Sequence, residues 1–213
     1  MTINYQKILD EQLAVLAGAQ AKPTLLLHAC CAPCASYVLE YLSAYFQITL
    51  FFYNPNIDPP DEYARRLAEL ERFCQEAPFA QEAAILPAAY APEDFIASSH
   101  GLEDAPEGGP RCQNCFRLRL ERTALAAREQ GFAYFTTTLS ISPHKNAQLL
   151  NQIGQEMAQR YGVPYLCSDF KKREGYKRSI TLSQEYALYR QDYCGCRFSK
   201  AEADRRRQTS PSQ

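Results

Sequence analysis

The chain lacks any apolar run of the roughly 18–20 residues that a membrane span requires, and it has no internal repeat and no long low-complexity tract. It also lacks a recognisable leader. The first residues, MTINYQKILDEQLAVLAGAQ, are polar and acidic with short apolar spacing, unlike a signal or transit peptide. A cytoplasmic protein with no membrane partner is the expectation. Nor is there an excess of charge of either sign: the formal net charge is −1, which excludes a uniformly basic nucleic-acid binder.

Charge is instead unevenly spread. Residues 171–207 hold 11 Lys and Arg against 5 Asp and Glu, while the rest of the chain holds 12 against 19. Such asymmetry suggests an anionic partner at one end; the plainer alternative is a solvated basic helix near the C-terminus. A length of 213 residues favours a single domain. We expect it to occupy residues 1–204, with a disordered tail over 205–213.

The pattern of elements reads as α/β. Helical apolar spacing covers residues 3–19, 35–46, 61–77, 93–99, 111–130, 147–161 and 180–189. Between these lie short apolar or β-branched runs at 24–29, 48–53, 84–86, 132–138 and 164–167, which suit buried parallel strands. Residues 101–110, 139–146 and 171–175 read as loops. The expected architecture is a Rossmann-like parallel sheet flanked by helices on both faces, with a helical C-terminal region. In open α/β sheets, sites form beyond the C-terminal ends of the strands. The segments 28–34, 53–57 and 136–145 each follow a strand, so all three should line one edge.

Nine cysteines are the informative count. Without an export signal they read as metal ligands or redox thiols rather than structural disulfides. Seven fall in three clusters: His28-Ala-Cys30-Cys31-Ala-Pro-Cys34, Cys112-Gln-Asn-Cys115 and Cys194-Gly-Cys196. Cys112 and Cys115 stand at a helix start, where exposed N–H groups favour thiolates. Cys30 and Cys31 are adjacent, and neighbouring side chains diverge in extended backbone, so they suit two neighbouring metal centres. Gly195 lets the backbone approach a cluster closely. Seven thiols exceed the four ligands of one zinc or iron–sulfur site; a four-cysteine cluster plus a mononuclear metal uses them all. Two alternatives stand on spacing: a structural zinc site from Cys112, Cys115, Cys194 and Cys196, as in a zinc-binding tRNA-interaction module without redox catalysis, and a thiol oxidoreductase built on Cys31 and Cys34; the α/β sheet adds, by fold analogy, an ATP-using tRNA thiolation enzyme. The absence of a glycine-rich phosphate loop argues against the last. Cys74 and Cys167 need no role beyond packing.

Other segments offer polar chemistry. Asn54 and Asn56, in YNPNI, could read a base or ribose edge or simply form a turn. Thr137 continues a strand, and Ser142 and Lys145 follow it in a candidate phosphate cradle that also holds His144. Tyr189, Arg190 and Asp192 interleave aromatics with charge just before Cys194, as a single-stranded RNA loop would favour.

Taken in order, HACCAPC, YNPNI, CQNCFRL, TTTLSISPHK, GYKRS and YRQDYCGCRFS resemble the cobalamin-independent epoxyqueuosine reductase family, QueH. They run from about residue 24 to 199. The resemblance implies reductive removal of the epoxide oxygen of epoxyqueuosine in the tRNA anticodon, the last step of queuosine biosynthesis. It also implies a Rossmann-type domain holding a [4Fe-4S] cluster near a second, mononuclear metal, here taken as iron. The family's ligand cysteines map onto Cys30, Cys31, Cys112, Cys115, Cys194 and Cys196. At Cys34 family members can carry a different ligand type, the one departure from the pattern. The expected division places Cys30, Cys112, Cys115 and Cys194 on the cluster, and Cys31, Cys34 and Cys196 on the single metal. Tyr53, His28 and Asp192 are the candidate proton donors. Asn54, Asn56, Thr137, Ser142, Lys145, Tyr176, Arg178, Tyr189 and Arg190 are the candidate substrate contacts. The partners implied are the anticodon stem-loop of a tRNA, met by the basic 171–207 region, and an external electron donor.

Overall fold

The computed structural model describes residues 3–86 and 88–209. Four parallel strands form one sheet: β1 (Thr24–His28), β2 (Gln47–Phe51), β3 (Ala84–Leu86) and β4 (Tyr134–Thr137), in the order β3-β2-β1-β4. The central strand β1 is apolar on both faces, as a strand covered from both sides must be. Leu25 and Leu27 pack with α2 (Ala32–Leu42) and α3 (Pro60–Glu76), while Leu26 points the other way, toward α5 (Pro110–Glu129) and α6 (Ala147–Tyr161). The remaining helices are α1 (Tyr5–Leu16), α4 (Pro92–Ser99), α7 (Gly175–Glu185) and α8 (Arg197–Thr209).

Local chemistry sets the boundaries. Pro33, Pro60 and Pro110 each sit in a first helical turn, where the missing N–H costs nothing. Asn146 caps α6 by accepting a hydrogen bond from Leu149 N at 3.1 Å, and Gly162, with φ of 73°, ends it.

The parallel sheet with helices on both faces is the expected architecture. Four details differ. The run at 164–167 is no strand of the sheet; it makes a single bridge, Tyr165 to Phe135. Side chains draw it away: Thr136 Oγ1 donates to Leu166 O at 2.8 Å, and Asn151 holds both backbone groups of Ser168. The expected 139–146 loop begins with a 3-10 turn, Thr138–Ile141, because Thr137 Oγ1 accepts from Leu139 N. Helix α7 begins at Gly175 rather than 180. There a Cβ would come within 2.0 Å of Phe170 O, so only glycine fits. Finally, α8 continues to Thr209, so residues 205–209 of the expected tail are helical; residues 210–213 lie outside the described residues.

The strand order reverses at β1. The chain proceeds from β1 to β2 and β3 on one side, then returns to β4 on the other. Crevices at such switch points, beyond the carboxyl ends of the strands, are where open α/β sheets bind ligands. His28 and Thr137 end the two strands that flank this crevice.

Candidate metal centre and substrate cavity

Immediately after β1 the chain turns into α2, and this turn carries the first sulfur cluster. The Sγ atoms of Cys30, Cys31 and Cys34 all lie within 4.8 Å of one another. Cys30 and Cys31 are 3.7 Å apart. Metal–thiolate bonds of about 2.3 Å in tetrahedral geometry set sulfurs about 3.8 Å apart, so the spacing fits one small metal ion. Cys31 is the N-cap of α2, and its thiol lies beside that of Cys30 despite their adjacency. Thr138 braces the turn, its Oγ1 lying 3.4 Å from Cys30 N and 3.6 Å from Cys30 Sγ. Gln191 Nε2 donates to Cys31 Sγ at 3.1 Å.

These thiols are chemically unequal. The neighbouring Cys31 and Cys34 thiols hold the Cys30 pKa well below the ordinary thiol range. The contact with Cys30, joined by burial, pushes Cys31 up to about 12, and contacts with both Cys30 and Cys31, again with burial, push Cys34 well above its usual value. Cys30 is therefore the thiol of the three that ionises most readily, and a metal would have to displace the protons of the other two.

The second and third sulfur clusters converge elsewhere in the same region. Cys112 and Cys115, on the first turns of α5, meet Cys194 and Cys196 around a tight cavity whose wall also includes Asn56, Phe95, Arg111, Phe116 and Ser199. Asn56 Oδ1 is buried without a hydrogen-bond partner among the described residues. Gly195 has φ of 125°, and a Cβ there would lie 3.0 Å from Arg66 Nη1. Arg66 in turn donates to Cys194 O at 3.2 Å and to Glu62 at 2.7 Å, tying the Cys-Gly-Cys turn to α3. Burial pushes the Cys115 thiol up to about 12.

A larger cavity of about 550 Å³ opens over the first cluster. Its wall includes Cys30, Cys34 and Cys194, so Cys194 reaches both cavities. Ser142, Lys145, Tyr176, Arg190 and Asp192 line it as well, joined by Arg119, His144 and Gln191. Burial acts to lower the Lys145 pKa, but negative charge at Cys194, Cys30 and Cys34 outweighs it and holds the ammonium above its ordinary range. The cavity therefore combines sulfur, a fixed cation and mixed polar groups.

Other expected contacts lie elsewhere. Tyr53 stacks on Phe51 and donates to Asp94 Oδ2 at 2.5 Å, facing α4 rather than the cavity. His28 is buried, and burial followed by the Arg119 charge lowers its pKa to about 3. It is a neutral bracket: Nδ1 lies 2.9 Å from Thr137 Oγ1, and Nε2 lies 3.1 Å from Tyr53 O and 3.2 Å from Arg119 Nε. Thr137 is spent on that bracket. Asn54 is fully buried, donating to Ala29 O at 2.9 Å and accepting from Arg119 Nη2 at 2.6 Å. Arg178 is clamped between Glu40 and Glu185. Tyr189 lies under the Arg65 guanidinium with its hydroxyl on Glu62. None of these six residues lines the cavity. Of the three candidate proton donors, Asp192 is the one at the cavity wall, and there it pairs with Arg207 at 2.7 Å.

Two residues escaped the sequence reading. Arg119 follows Cys112 and Cys115 by seven and four positions, so all three share one face of α5, a spacing visible in the sequence. Arg66 is 128 residues from Cys194, and no local pattern announces it.

The model of the family described as epoxyqueuosine reductase QueH matches residues 25–202. The chain belongs to the QueH family. A relative from Streptococcus pyogenes serotype M1, named epoxyqueuosine reductase QueH, is 44% identical over 199 residues, covering 92% of this chain and 78% of the relative. One of the same name from Staphylococcus epidermidis is 44% identical over 201 residues, covering 92% and 84%. A more distant QueH relative from Thermotoga maritima is 36% identical over 185 residues, covering 84% and 91%. All the motifs that carried the resemblance fall inside the matched span. No helix among the described residues is long and apolar enough to cross a membrane.

Proposed function

We propose that this chain is an epoxyqueuosine reductase, acting on tRNA to convert epoxyqueuosine into queuosine. The observation that carries the reading is the placement of two sulfur groups at one cavity beyond the switch point of the sheet. Opening an epoxide to an alkene consumes two electrons and two protons and releases the oxygen as water. A lone zinc ion supplies no electrons; iron bound by thiolates does.

The proposed cofactors are a [4Fe-4S] cluster and one mononuclear iron. The spacing of Cys30, Cys31 and Cys34 supports them as the holders of the single metal, with Cys112, Cys115, Cys194 and Cys196 holding the cluster. This assignment exchanges Cys30 and Cys196 relative to the expected division. When bound, such groups supply electrons singly and a Lewis-acidic position for the departing oxygen. The chain's own residues do the rest. Gln191 Nε2 fixes the orientation of Cys31 Sγ. Lys145 brings a positive charge into the wall where negative charge develops on the oxygen. Asp192 Oδ2, released from Arg207, is placed to carry a proton at the mouth. Tyr176 offers an aromatic face and Arg190 a cation to a nucleoside entering from outside. The electron donor is an external protein or small reductant.

The test is turnover. Anaerobically prepared full chain, given a chemical reductant and tRNA bearing epoxyqueuosine, should yield a nucleoside lighter by one oxygen. A protein replete with iron that leaves the nucleoside unchanged would overturn the proposal.

A further inference from the structure

Arg119 is 2% exposed and lies against both sulfur groups: it lines the cavity with Cys30, Cys34 and Cys194, and its Nη1 is 4.0 Å from Cys115 Sγ. Its other partners are uncharged. Nη2 donates to the amide of Asn54. Nε lies 3.2 Å from His28 Nε2, a nitrogen that also faces Tyr53 O at 3.1 Å, and a fully buried imidazole held against a guanidinium stays neutral in either tautomer. The remaining buried arginines differ. Arg66 holds Glu62, and Arg111 has Glu202 at 4.0 Å. Arg119 has no carboxylate ion pair among the described residues.

A buried guanidinium with only neutral partners is strongly unfavourable unless an anion lies close by. The groups near enough to supply that charge are the thiols of the centre, which become thiolates when they bind metal. We infer that Arg119 is the resident countercharge of the metal–thiolate centre and raises its reduction potential. The inference rests on the iron-bearing centre proposed above and gives a specific task to a residue that is no ligand. Adding an electron makes a thiolate-bound centre more negative, and a fixed cation beside it favours that state. Arg119 is thus a positioning residue acting through charge on the redox step, and it need not touch the nucleoside.

The test compares Arg119→Gln with Arg119→Lys, which keeps the charge but loses the planar fork. Each full-length variant is loaded anaerobically with iron and sulfide and titrated with redox dyes. For Arg119→Gln the redox equilibrium should move at least tenfold toward the oxidised form, a midpoint lower by 59 mV or more for one electron. Arg119→Lys should stay closer to the unaltered protein. If Arg119→Gln takes up no iron while Arg119→Lys does, the requirement for charge is met in another way. Equal shifts in both variants, equal failure of both to load, or an unshifted Arg119→Gln would each overturn the inference. An unaltered protein that loads iron and shows this charge-dependent shift, yet leaves epoxyqueuosine tRNA unchanged, would overturn the proposed activity alone.

Discussion

On the surface between residues 171 and 207, cations meet carboxylates. Lys171 pairs with Asp169, Arg173 with Asp10, Arg178 with Glu40 and Glu185, Arg197 with Asp58, and Arg207 with Asp192 and Asp204. Beneath the cysteines the arrangement is opposite: Arg119 sits among a neutral imidazole, an amide and sulfur. The surface excess of positive charge read from the sequence is therefore largely neutralised within the fold. The interior positive charge, invisible to any charge count, is the one left waiting for an anion. Lys172, Arg190 and Lys200 carry no ion pair among the described residues, and of these Arg190 faces the cavity.

The largest effect should come from the sulfur groups themselves. Cys31→Ser removes a ligand of the close triad, and turnover should fall by more than the roughly 100-fold typical of outer-shell changes. Iron analysis of the same variant should show loss of the single metal with the cluster absorption retained. Loss of the whole spectrum would merge the two groups and end the division proposed here.

Next in size is the neutral network. Asn54→Ala leaves a buried Arg119 N–H and the Ala29 carbonyl without partners. Unfolding free energy, read by denaturant titration, should drop by about 2–4 kcal/mol. A change within error would mean that the interior network is dispensable. His28 adds a pH signature in the metal-free chain. Its folded pKa, about 3, lies below the unfolded value of 6.5, so the unfolded chain binds the extra proton between them. Stability from this group is complete above 6.5 and falls as the pH drops, by about 1.4 kcal/mol per unit. Between pH 6.5 and 5, before most carboxylates titrate, His28→Gln should flatten that slope.

The smallest effect belongs to the surface. Arg173→Glu breaks a pair already neutralised by Asp10 and should weaken tRNA binding less than Arg190→Glu at the cavity wall. Affinity measured against salt separates them, since each phosphate that the protein no longer neutralises lowers the slope by about 0.7–0.9. Equal weakening by both would restore the whole 171–207 segment as the RNA surface.

The sheet edge was legible because its signals are local. Apolar runs mark the strands, and residues 28–34 and 136–145 had to leave the sheet at its carboxyl end. The meeting of Cys112, Cys115, Cys194 and Cys196 with that edge was implied by the family resemblance instead. Which sulfur lies beside which was not legible: the Cys30 and Cys31 thiols lie 3.7 Å apart, against the divergence expected of neighbours. Tyr53, Asn54 and Thr137 were chosen for chemistry that is present but used inward, on Asp94, Ala29 and His28. A motif names the polar groups near a site; only packing decides which of them the protein consumes in holding itself together.

The most direct measurement is the ratio of iron to acid-labile sulfide in the anaerobically purified chain. The account predicts a coloured protein with iron exceeding sulfide by one ion per chain. A colourless protein containing zinc and no sulfide would contradict it.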